Sequence, residues 1–163
     1  MSTSSLASGS LPKRTLLAIS QPEAALTNTR VLFGYARIGT LARASMSGGA
    51  ARAVLEDVES ADWLPDGSGL AVAHYVDGRF HLEFPVGKSV YDTGGYISDV
   101  RVSPDGKRVA FTHESGLWVR QLDTLEARYL DGTEGALAPF WSPDSRFLGF
   151  FSTGKLRKID ANG

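Results

Sequence analysis

The stretch FWSPDSRFLGFF, residues 140–151, places a short Pro-Asp turn between two apolar segments. Similar phrases occur twice upstream, as ADWLPDGSGLAVAHY and DVRVSPDGKRVAFTH. When the three copies are anchored on Trp63, Val102 and Trp141, the step from the first anchor to the second equals the step from the second to the third. Two equal spacings of a turn followed by an apolar strand indicate an internal repeat, and the repeat predicts the fold.

The turn in each copy has a physical basis. Proline presets φ at about −65° in the second turn position, and the aspartate after it can accept hydrogen bonds from nearby backbone N–H groups. Glycine then supplies the left-handed residue from which the next strand starts. The predicted turn residues are Pro65, Asp66, Gly67, Pro104, Asp105, Gly106, Pro143 and Asp144. Ser145 replaces the glycine in the last copy, and a weaker first copy, LTNTRVLFGY, anchored on Ala24, has Asn28 in that place.

The strand after the turn keeps one pattern in all copies. Seven and nine residues beyond the anchors, the side chains are large and apolar: Val31, Leu70, Val109 and Leu148, then Phe33, Val72, Phe111 and Phe150. Eight residues beyond the anchors the side chains are small in three copies of four: Leu32, Ala71, Ala110 and Gly149. A strand that is apolar on both faces is buried on both faces. The large and small faces would let successive sheets nest against each other.

Glycines and further apolar segments predict the rest of each unit. Gly39, Gly78, Gly116 and Gly154 are predicted to lie in the turn of the next hairpin. The segments ARAVLED, KSVYDT and LEARYL are predicted to be further strands of the first three units. A unit of about 39 residues with four short strands is typical of a β-propeller blade.

The sequence therefore predicts an all-β chain of about four β-propeller blades, the last of which lacks its outer strand. The predicted units are a disordered segment at 1–14 and a propeller segment at 15–163, with blades at 15–58, 59–97, 98–136 and 137–163. Because rings of four blades are at the low limit, we favour a fragment of a larger ring. In the alternative, the N-terminal TLLAIS pairs with the last blade and closes a small ring.

These repeats resemble a known group of proteins. The phrases WLPDG, VSPDG and WSPDS are similar to the repeats of TolB-like, WD-repeat-like bacterial propellers. Longer stretches resemble the propeller region of bacterial eukaryote-like serine/threonine kinases: LEDVESADWLPDGSGLAV, RFHLEFPVGKSVYDTGGYISDVRVSPDGKRVAF, and GLWVRQLDTLEARYLDGTEGALAPFWSPDSRFLGFF running into GKLRKIDANG. Together they cover about residues 40–163. The resemblance implies a sensor-like propeller, in a receptor whose kinase and membrane span precede the propeller. We expect the propeller to bind a protein or peptide.

The sequence does not predict catalysis within this chain. It has no GxGxxG loop, HRD phrase or DFG phrase to hold ATP and magnesium, and no GxSxG elbow for acyl transfer. Two other contexts stay open: the gating half of a prolyl oligopeptidase-type peptidase, and a stand-alone TolB-like interaction scaffold. The location depends on the context. It is periplasmic or extracytoplasmic in a receptor kinase, and cytoplasmic if the chain is complete.

Composition argues against several kinds of partner. Lys and Arg number 17 against 18 Asp and Glu, and the net charge of −1 does not favour nucleic acid. No apolar run approaches the ~20 residues of a membrane span. The chain has no cysteine, which excludes disulfides and thiolate metal sites. We expect no cofactor.

Histidines supply weak candidates for a ligand site. His74 and His113 share one repeat position, eleven residues beyond their anchors, and could face one environment. A residue that caps a strand end is the simpler interpretation, since a third metal ligand is not evident. His81 and Glu83 share one face of RFHLEF and could bind a cation, but an exposed outer strand explains them more simply.

Other conspicuous residues have a structural explanation. The turn role accounts for the three repeated aspartates. Trp63, Trp118 and Trp141 are predicted to pack in the core rather than to stack on a ligand. The basic GKLRK is a predicted solvated strand rather than a nucleic-acid patch. An open arc of blades would expose apolar end faces, so self-association through these faces is a further expectation.

Overall fold

The computed structural model describes residues 24–32, 36–44, 50–114, 116–124 and 126–163. In these ranges the regular structure consists of thirteen β-strands, paired antiparallel in three sheets. The all-β prediction is confirmed. The predicted disordered segment and the TLLAIS strand lie outside the described residues.

The strands are mostly short and follow one another closely. Their bounds are β1 Ala24–Leu32, β2 Ala36–Arg43, β3 Arg52–Trp63, β4 Leu70–Val76, β5 Arg79–Glu83, β6 Ser89–Thr93, β7 Ile97–Val102, β8 Arg108–His113, β9 Gly116–Gln121, β10 Ala127–Tyr129, β11 Leu137–Trp141, β12 Phe147–Ser152 and β13 Lys155–Asp160.

Consecutive strands are neighbours in every sheet. Sheet I contains β1 to β6, sheet II contains β7 to β10, and sheet III contains β11 to β13. The long strand β3 serves two groups, because it pairs with β2 from Arg52 to Val58 and with β4 from Val58 to Trp63. Asp57, just before the shared residue Val58, has a φ of 56°. The predicted blade boundaries within residues 15–163 stay a prediction.

Turns of one geometry precede β4, β8 and β12. In each turn, the residue at the glycine position donates its N–H to the carbonyl three residues earlier, over 2.9, 2.8 and 2.9 Å: Gly67 to Leu64, Gly106 to Ser103, and Ser145 to Ser142. The φ angles of these donors are 71°, 70° and 59°. Ser145 therefore adopts the left-handed conformation that its glycine counterparts adopt.

The Ser145 side chain gives a reason for serine at this strained position. Its Oγ accepts a hydrogen bond of 3.0 Å from the backbone N–H of Asp105, in the turn of the preceding repeat. Ser145→Ala keeps the strain and leaves that N–H without its partner, so we expect a loss of about 1–2 kcal/mol in the free energy of unfolding. Ser145→Gly relieves the strain and should cost less. Urea denaturation of both variants checks this order, which a cost-free Ser145→Ala would contradict.

The first copy of the repeat differs from the prediction. Strand β1 runs from Ala24 to Leu32 without a turn, so Asn28 lies inside a strand. Its register with β2 shifts between Thr27 and Arg30. No proline presets a turn here, and β-branched threonines flank Asn28, so the extended conformation is favoured.

Two of the four glycines predicted in turns lie in strands. Gly78 and Gly154 are in turns, with φ of 83° and 73°. Gly39, however, lies inside β2, and Gly116 is the first residue of β9. A Cβ on Gly116 would come within 2.3 Å of the Tyr129 ring. The glycine at 116 is thus explained by the close approach of an aromatic ring rather than by a turn.

Apolar clusters join successive groups of strands. The first cluster combines residues of sheet I, both small and large, with residues of sheet II: Ile38, Ala71, Ala73, Phe80 and Leu82 with Val102, Val109 and Phe111. The second combines sheets II and III: Ala110, Leu148 and Phe150. The third lies within sheet I: Leu41, Val58, Trp63, Leu70 and Val72. Ala71, Ala73 and Ala110 therefore share buried clusters with larger residues of the following sheet.

Hydrogen bonds between residues forty positions apart also join the groups of strands. The Asp62 carboxylate accepts from the backbone N–H of Val102 at 2.8 Å. One repeat later, the Arg101 carbonyl accepts from Nε1 of Trp141 at 3.0 Å. Both bonds run from the last strand positions of one repeat to the same region of the next, so the mutual placement of the repeats is specified by polar as well as apolar contacts.

Candidate functional site

The candidate site is one face of sheet III, which we call the terminal face: Leu137, Phe140, Phe147, Gly149, Phe151, Leu156 and Lys158. The strand register places all of these residues except Phe147, which pairs with Asp160, in two cross-strand rows. Leu137 pairs with Phe151, which pairs with Leu156, and Phe140 pairs with Gly149, which pairs with Lys158. Alternation along a strand puts Phe147, Gly149 and Phe151 on one side of β12. Leu148 and Phe150 point to the opposite side, into the core between sheets II and III.

Large apolar side chains of the terminal face are exposed. The exposed fractions are 63% for Leu137, 48% for Phe140, 47% for Phe151 and 62% for Leu156. A groove of about 370 Å³ lies on this face, lined by Phe140, Ser142, Phe147, Gly149, Leu156, Arg157 and Lys158. Contiguous exposed apolar surface of this kind marks interaction sites on soluble proteins.

Gly149 has a specific part in the shape of the groove. A Cβ at this position would meet the Phe140 ring at 2.3 Å, so the ring lies directly over the glycine. At the same repeat position, Ala71 and Ala110 are fully buried, in clusters with residues of the following sheet. Phe140 thus covers on the terminal face a position that the next sheet covers in the earlier repeats.

Two cations lie at the Phe147 end of the terminal face. The Lys158 ammonium is 4.2 Å, and the Arg146 guanidinium 4.9 Å, from the centre of the Phe147 ring. Strand β13 carries further positive charge, because Lys155 and Arg157 are also exposed. The face is therefore apolar along its centre and cationic at its β13 side, which favours acidic partners.

A second candidate site, between β3 and the residue just before β7, contains a carboxyl with a strongly raised pKa. The Tyr96 hydroxyl donates to Oε1 of Glu59 at 2.7 Å. Burial is the main cause that raises the pKa of Glu59 to about 7; Asp99 adds to the rise, while hydrogen bonds from Ser60 and Tyr96 and the Arg101 charge oppose it. Burial first, and then the charge of Glu59, raises the pKa of Tyr96. This pair can hold or release a proton near neutral pH.

The structure does not bring the two candidate histidines into one site. Nδ1 of His74 lies 2.7 Å from Oε1 of Glu83, whereas Nδ1 of His113 lies 3.3 Å from the Tyr96 carbonyl. The His113 ring is buried and lies 5.7 Å from that of Trp118. Each histidine is thus held by its own neighbours. Within the described ranges, no group of three or more His, Cys, Asp or Glu side chains is arranged to hold a metal ion.

The interpretation of Glu83 as part of an exposed outer strand is wrong. β5 lies between β4 and β6, and Glu83 is buried. Its carboxylate oxygens accept from the backbone N–H of Gly87 at 2.7 Å and contact His74. His81 lies 3.3 Å from Oγ of Ser89. The Glu83 carboxylate therefore holds the turn between β5 and β6 against β4, which compensates its burial.

The turn aspartates lie apart from one another, each in its own turn. The carboxylate of Asp66 accepts from the N–H of Ser68, that of Asp105 from the N–H of Lys107, and that of Asp144 from the N–H of Arg146, over 2.9, 3.0 and 3.1 Å. A serine hydroxyl in the same turn is the largest cause that lowers the pKa of each carboxyl: Ser68, Ser103 and Ser142 respectively. The prolines Pro65, Pro104 and Pro143 belong to the same three turns.

The tryptophans pack against the sheets. Trp63 is buried in the third cluster with Arg43 lying 5.2 Å from its ring centre, and Trp141 packs against the second cluster with Arg108 at 5.1 Å. Trp118 is half-buried beside the first cluster. The two tryptophan anchors thus have similar settings, a packed ring beneath a guanidinium.

The sequence patterns did not predict the main features of the two candidate sites, the terminal face and the Glu59–Tyr96 pair. Phe140 stands one residue before its anchor, where the earlier copies have Asp62 and Arg101. That change from charged to aromatic was a readable signal. Glu59 and Tyr96 are 37 residues apart, and no local pattern pairs them. Nothing in the described ranges forms a helix with the length and apolar character that a bilayer span requires.

No protein-family model and no curated protein sequence matches the chain. Many solved structures are similar to it in fold, among them the following two. The first is TolB from Acinetobacter baumannii, with a TM-score of 0.62, 20% sequence identity, and coverage of 74% of this chain and 35% of that one. The second is a proposed 6-phosphogluconolactonase from Bacteroides fragilis, with a TM-score of 0.50, 13% identity, and coverage of 85% and 55%.

These likenesses bear on the fold alone, since both sequence identities are low. The chain spans about a third of the TolB length and about half of the second protein's length. Its antiparallel sheets, packed face to face in chain order, correspond to part of the TolB structure. The described chain is therefore all-β, with the fold of β-propeller blades.

Proposed function

We propose that this chain is a non-catalytic β-propeller segment that binds a protein or peptide, as part of the sensor region of a bacterial receptor-type serine/threonine kinase. The observation that carries the binding role is the terminal face, with its exposed Leu137, Phe140, Phe151 and Leu156. Binding hot spots are enriched in large side chains with aromatic rings, which fill pockets on the partner. The cationic side of the groove adds a means of selecting partners by charge.

The kinase context rests on the resemblance of the repeats. Stretches such as RFHLEFPVGKSVYDTGGYISDVRVSPDGKRVAF are similar to the propeller region of those receptors. The full reading frame in the source genome tests this context. We expect a kinase domain and a membrane span upstream of these repeats. A downstream α/β-hydrolase domain would instead make the segment the gating half of a peptidase, and a lone propeller behind a signal peptide would make it a TolB-like scaffold.

Binding at the terminal face is tested with peptides selected against the chain from a random display library. We expect Phe140→Ser to lower the affinity of the chain for the selected peptides about tenfold or more, because truncation of an aromatic hot spot costs on the order of 1–2 kcal/mol of binding free energy. Val54→Ser is the matched control, because Val54 is 44% exposed on β3, outside the terminal face.

Two control measurements accompany this comparison of variants. Thermal melting shows that both variants remain folded, and light scattering behind a sizing column separates peptide binding from self-association of the chain through the same face. Equal weakening by Phe140→Ser and Val54→Ser, or no effect of Phe140→Ser, would rule out the terminal face as the binding surface.

A further inference from the structure

We propose that a cavity between sheets II and III is a binding site for a small oxyanion, that is, a molecule with a carboxylate or phosphate group. The cavity has a volume of about 250 Å³, and its lining includes Arg108, Gln121, Glu126, Arg128, Ala161 and Asn162. Pockets for drug-sized ligands measure about 300–1,000 Å³, so this cavity suits a smaller molecule. None of its lining residues belongs to the terminal face, and the inference does not depend on the proposed function.

The first argument is the fixed position of the Arg108 guanidinium. It lies 5.1 Å from the centre of the Trp141 ring. It also donates to the carbonyl of Ser145, and to Oδ1 of Asn162 over 3.5 Å. Arg108 belongs to sheet II, whereas these three partners belong to the repeat of sheet III. The guanidinium is therefore held at the junction of the two sheets before any ligand binds, which lowers the entropy cost of binding.

Arg128 is a second cation that is bound at the same junction. Its Nη2 donates to the carbonyl of Ala161 at 3.1 Å. A guanidinium group has more N–H donors than the bonds of Arg108 and Arg128 described above occupy. Arginine uses such donors to bind carboxylate and phosphate groups through paired, charge-assisted hydrogen bonds.

Comparison with the junction of sheets I and II shows where the space comes from. The N–H of Leu122 donates to the carbonyl of Lys107, and that of Ala161 donates to the carbonyl of Arg146, both at 2.9 Å. Leu122 and Ala161 therefore occupy equivalent positions in successive repeats. Leu122 packs against the first cluster, between sheets I and II. The smaller Ala161 leaves space at the junction of sheets II and III, although it is itself buried.

The same comparison shows where the charge comes from. The carbonyl of Arg108 accepts from the N–H of Ser103 at 2.8 Å, and the carbonyl of Gly69 accepts from the N–H of Leu64 at 2.9 Å. Arg108 and Gly69 are thus equivalent, so sheet I has no side chain where sheet II has a guanidinium. The junction of sheets II and III combines a smaller apolar residue with an added cation, and this combination of space and charge favours an anionic ligand.

The other polar groups of the lining limit the kind of anion. The two arginines face one lining carboxylate, that of Glu126. The amide of Gln121 can donate or accept a hydrogen bond. A molecule with an oxyanion at one end fits this lining better than a cation or an apolar molecule, because the arginines outnumber the carboxylate.

The experiment titrates the full chain, labelled with nitrogen-15, with inorganic phosphate and separately with succinate at constant ionic strength. Heteronuclear NMR follows the Nε–Hε signals of Arg108 and Arg128 and the backbone amide signal of Ala161. We expect saturable shifts of these signals with a Kd on the order of 1 mM, as is reasonable for so small a ligand. Saturation by phosphate alone or by succinate alone would identify the phosphate or the carboxylate as the group that is bound.

Two variants test the cavity by different means. Arg128→Gln removes one cation of the lining, and we expect it to raise the Kd about tenfold or more. Ala161→Leu keeps the charge and introduces the side chain that Leu122 has at the equivalent position, so it should abolish the saturable shifts. Arg79→Gln is the matched control and should leave the Kd unchanged, because Arg79 is an exposed arginine of sheet I that pairs with Asp92 at 3.0 Å.

Three results would overturn the oxyanion site. The first is the absence of saturation by either anion up to about 20 mM. The second is an equal rise of the Kd in Arg128→Gln and Arg79→Gln, which would mean that the anions bind surface arginines in general. The third is unchanged binding by Ala161→Leu when thermal melting shows this variant to be folded. If Ala161→Leu does not fold, the comparison of the two arginine variants decides the question.

Discussion

Phe111→Ala is expected to lower the free energy of unfolding by about 3–5 kcal/mol, the usual cost of removing a buried phenylalanine ring. Phe111 is fully buried in the cluster between sheets I and II, and its ring centre lies 5.4 Å from that of Tyr91. Since small domains have only about 5–15 kcal/mol of stability in total, the loss would be a large part of it. Urea denaturation, followed by circular dichroism and tryptophan fluorescence, measures the change.

Phe151→Ala is the matched control for this prediction. Phe151 stands on the corresponding strand β12 but is 47% exposed on the terminal face. Its removal should cost less than about 1 kcal/mol, because an exposed ring has little transfer free energy or packing to lose. Similar losses of unfolding free energy for the two variants would mean that Phe111 is no better packed than Phe151, which would contradict the stacking of sheet I on sheet II.

The second large effect is a pH dependence of stability caused by Glu59. Its folded-state pKa of about 7 lies above the ordinary value of 4.5, because burial disfavours the charged form. The folded state therefore binds this proton more tightly than the unfolded state. The contribution is fully present below pH 4.5, is lost as the pH rises towards about 7, and stays lost above that. A difference of this size corresponds to about 3 kcal/mol.

Glu59→Gln isolates this contribution, because the amide is neutral at every pH and has nearly the same shape. We expect the free energy of unfolding of the variant, relative to that of the unaltered chain, to rise by about 3 kcal/mol at most between pH 5 and pH 8. The groups that face Glu59 are Tyr96, Asp99 and Arg101, and they are the same in both proteins. Denaturation curves at several pH values give the difference directly. A difference that does not change with pH would show that Glu59 titrates normally.

The sequence predicted the repeated part of this fold well, because one local rule specifies it. A proline presets the turn, an aspartate accepts the turn N–H groups, and the next strand alternates large and small side chains, as at Val109 and Ala110. The rule failed in the first copy, where no proline opposes the extended preference of the threonines around Asn28. It also misplaced Gly116, because the reason for that glycine is the Tyr129 ring on another strand.

The candidate sites were harder to predict because they depend on contacts between repeats. The burial of Glu83 follows from its position between two neighbouring strands and from its bonds to His74 and Gly87, which a single strand pattern does not show. The pairing of Glu59 with Tyr96 arises only when β3 and β7 pack together. The exposure of Phe140 likewise depends on what covers sheet III, and not on the local sequence.

The packing of successive repeats is tested most directly by methyl and aromatic nuclear Overhauser effects in the full chain. Ala71 and Val109 share one buried cluster, and Ala110 and Leu148 share the next, and the members of each pair belong to successive repeats. We expect cross-peaks that link the methyl groups of sheet I to Val109 and Phe111, and those of sheet II to Leu148 and Phe150. If Leu148 and Phe150 instead show contacts only within their own sheet, the sheets do not stack face to face and the account of the fold is wrong.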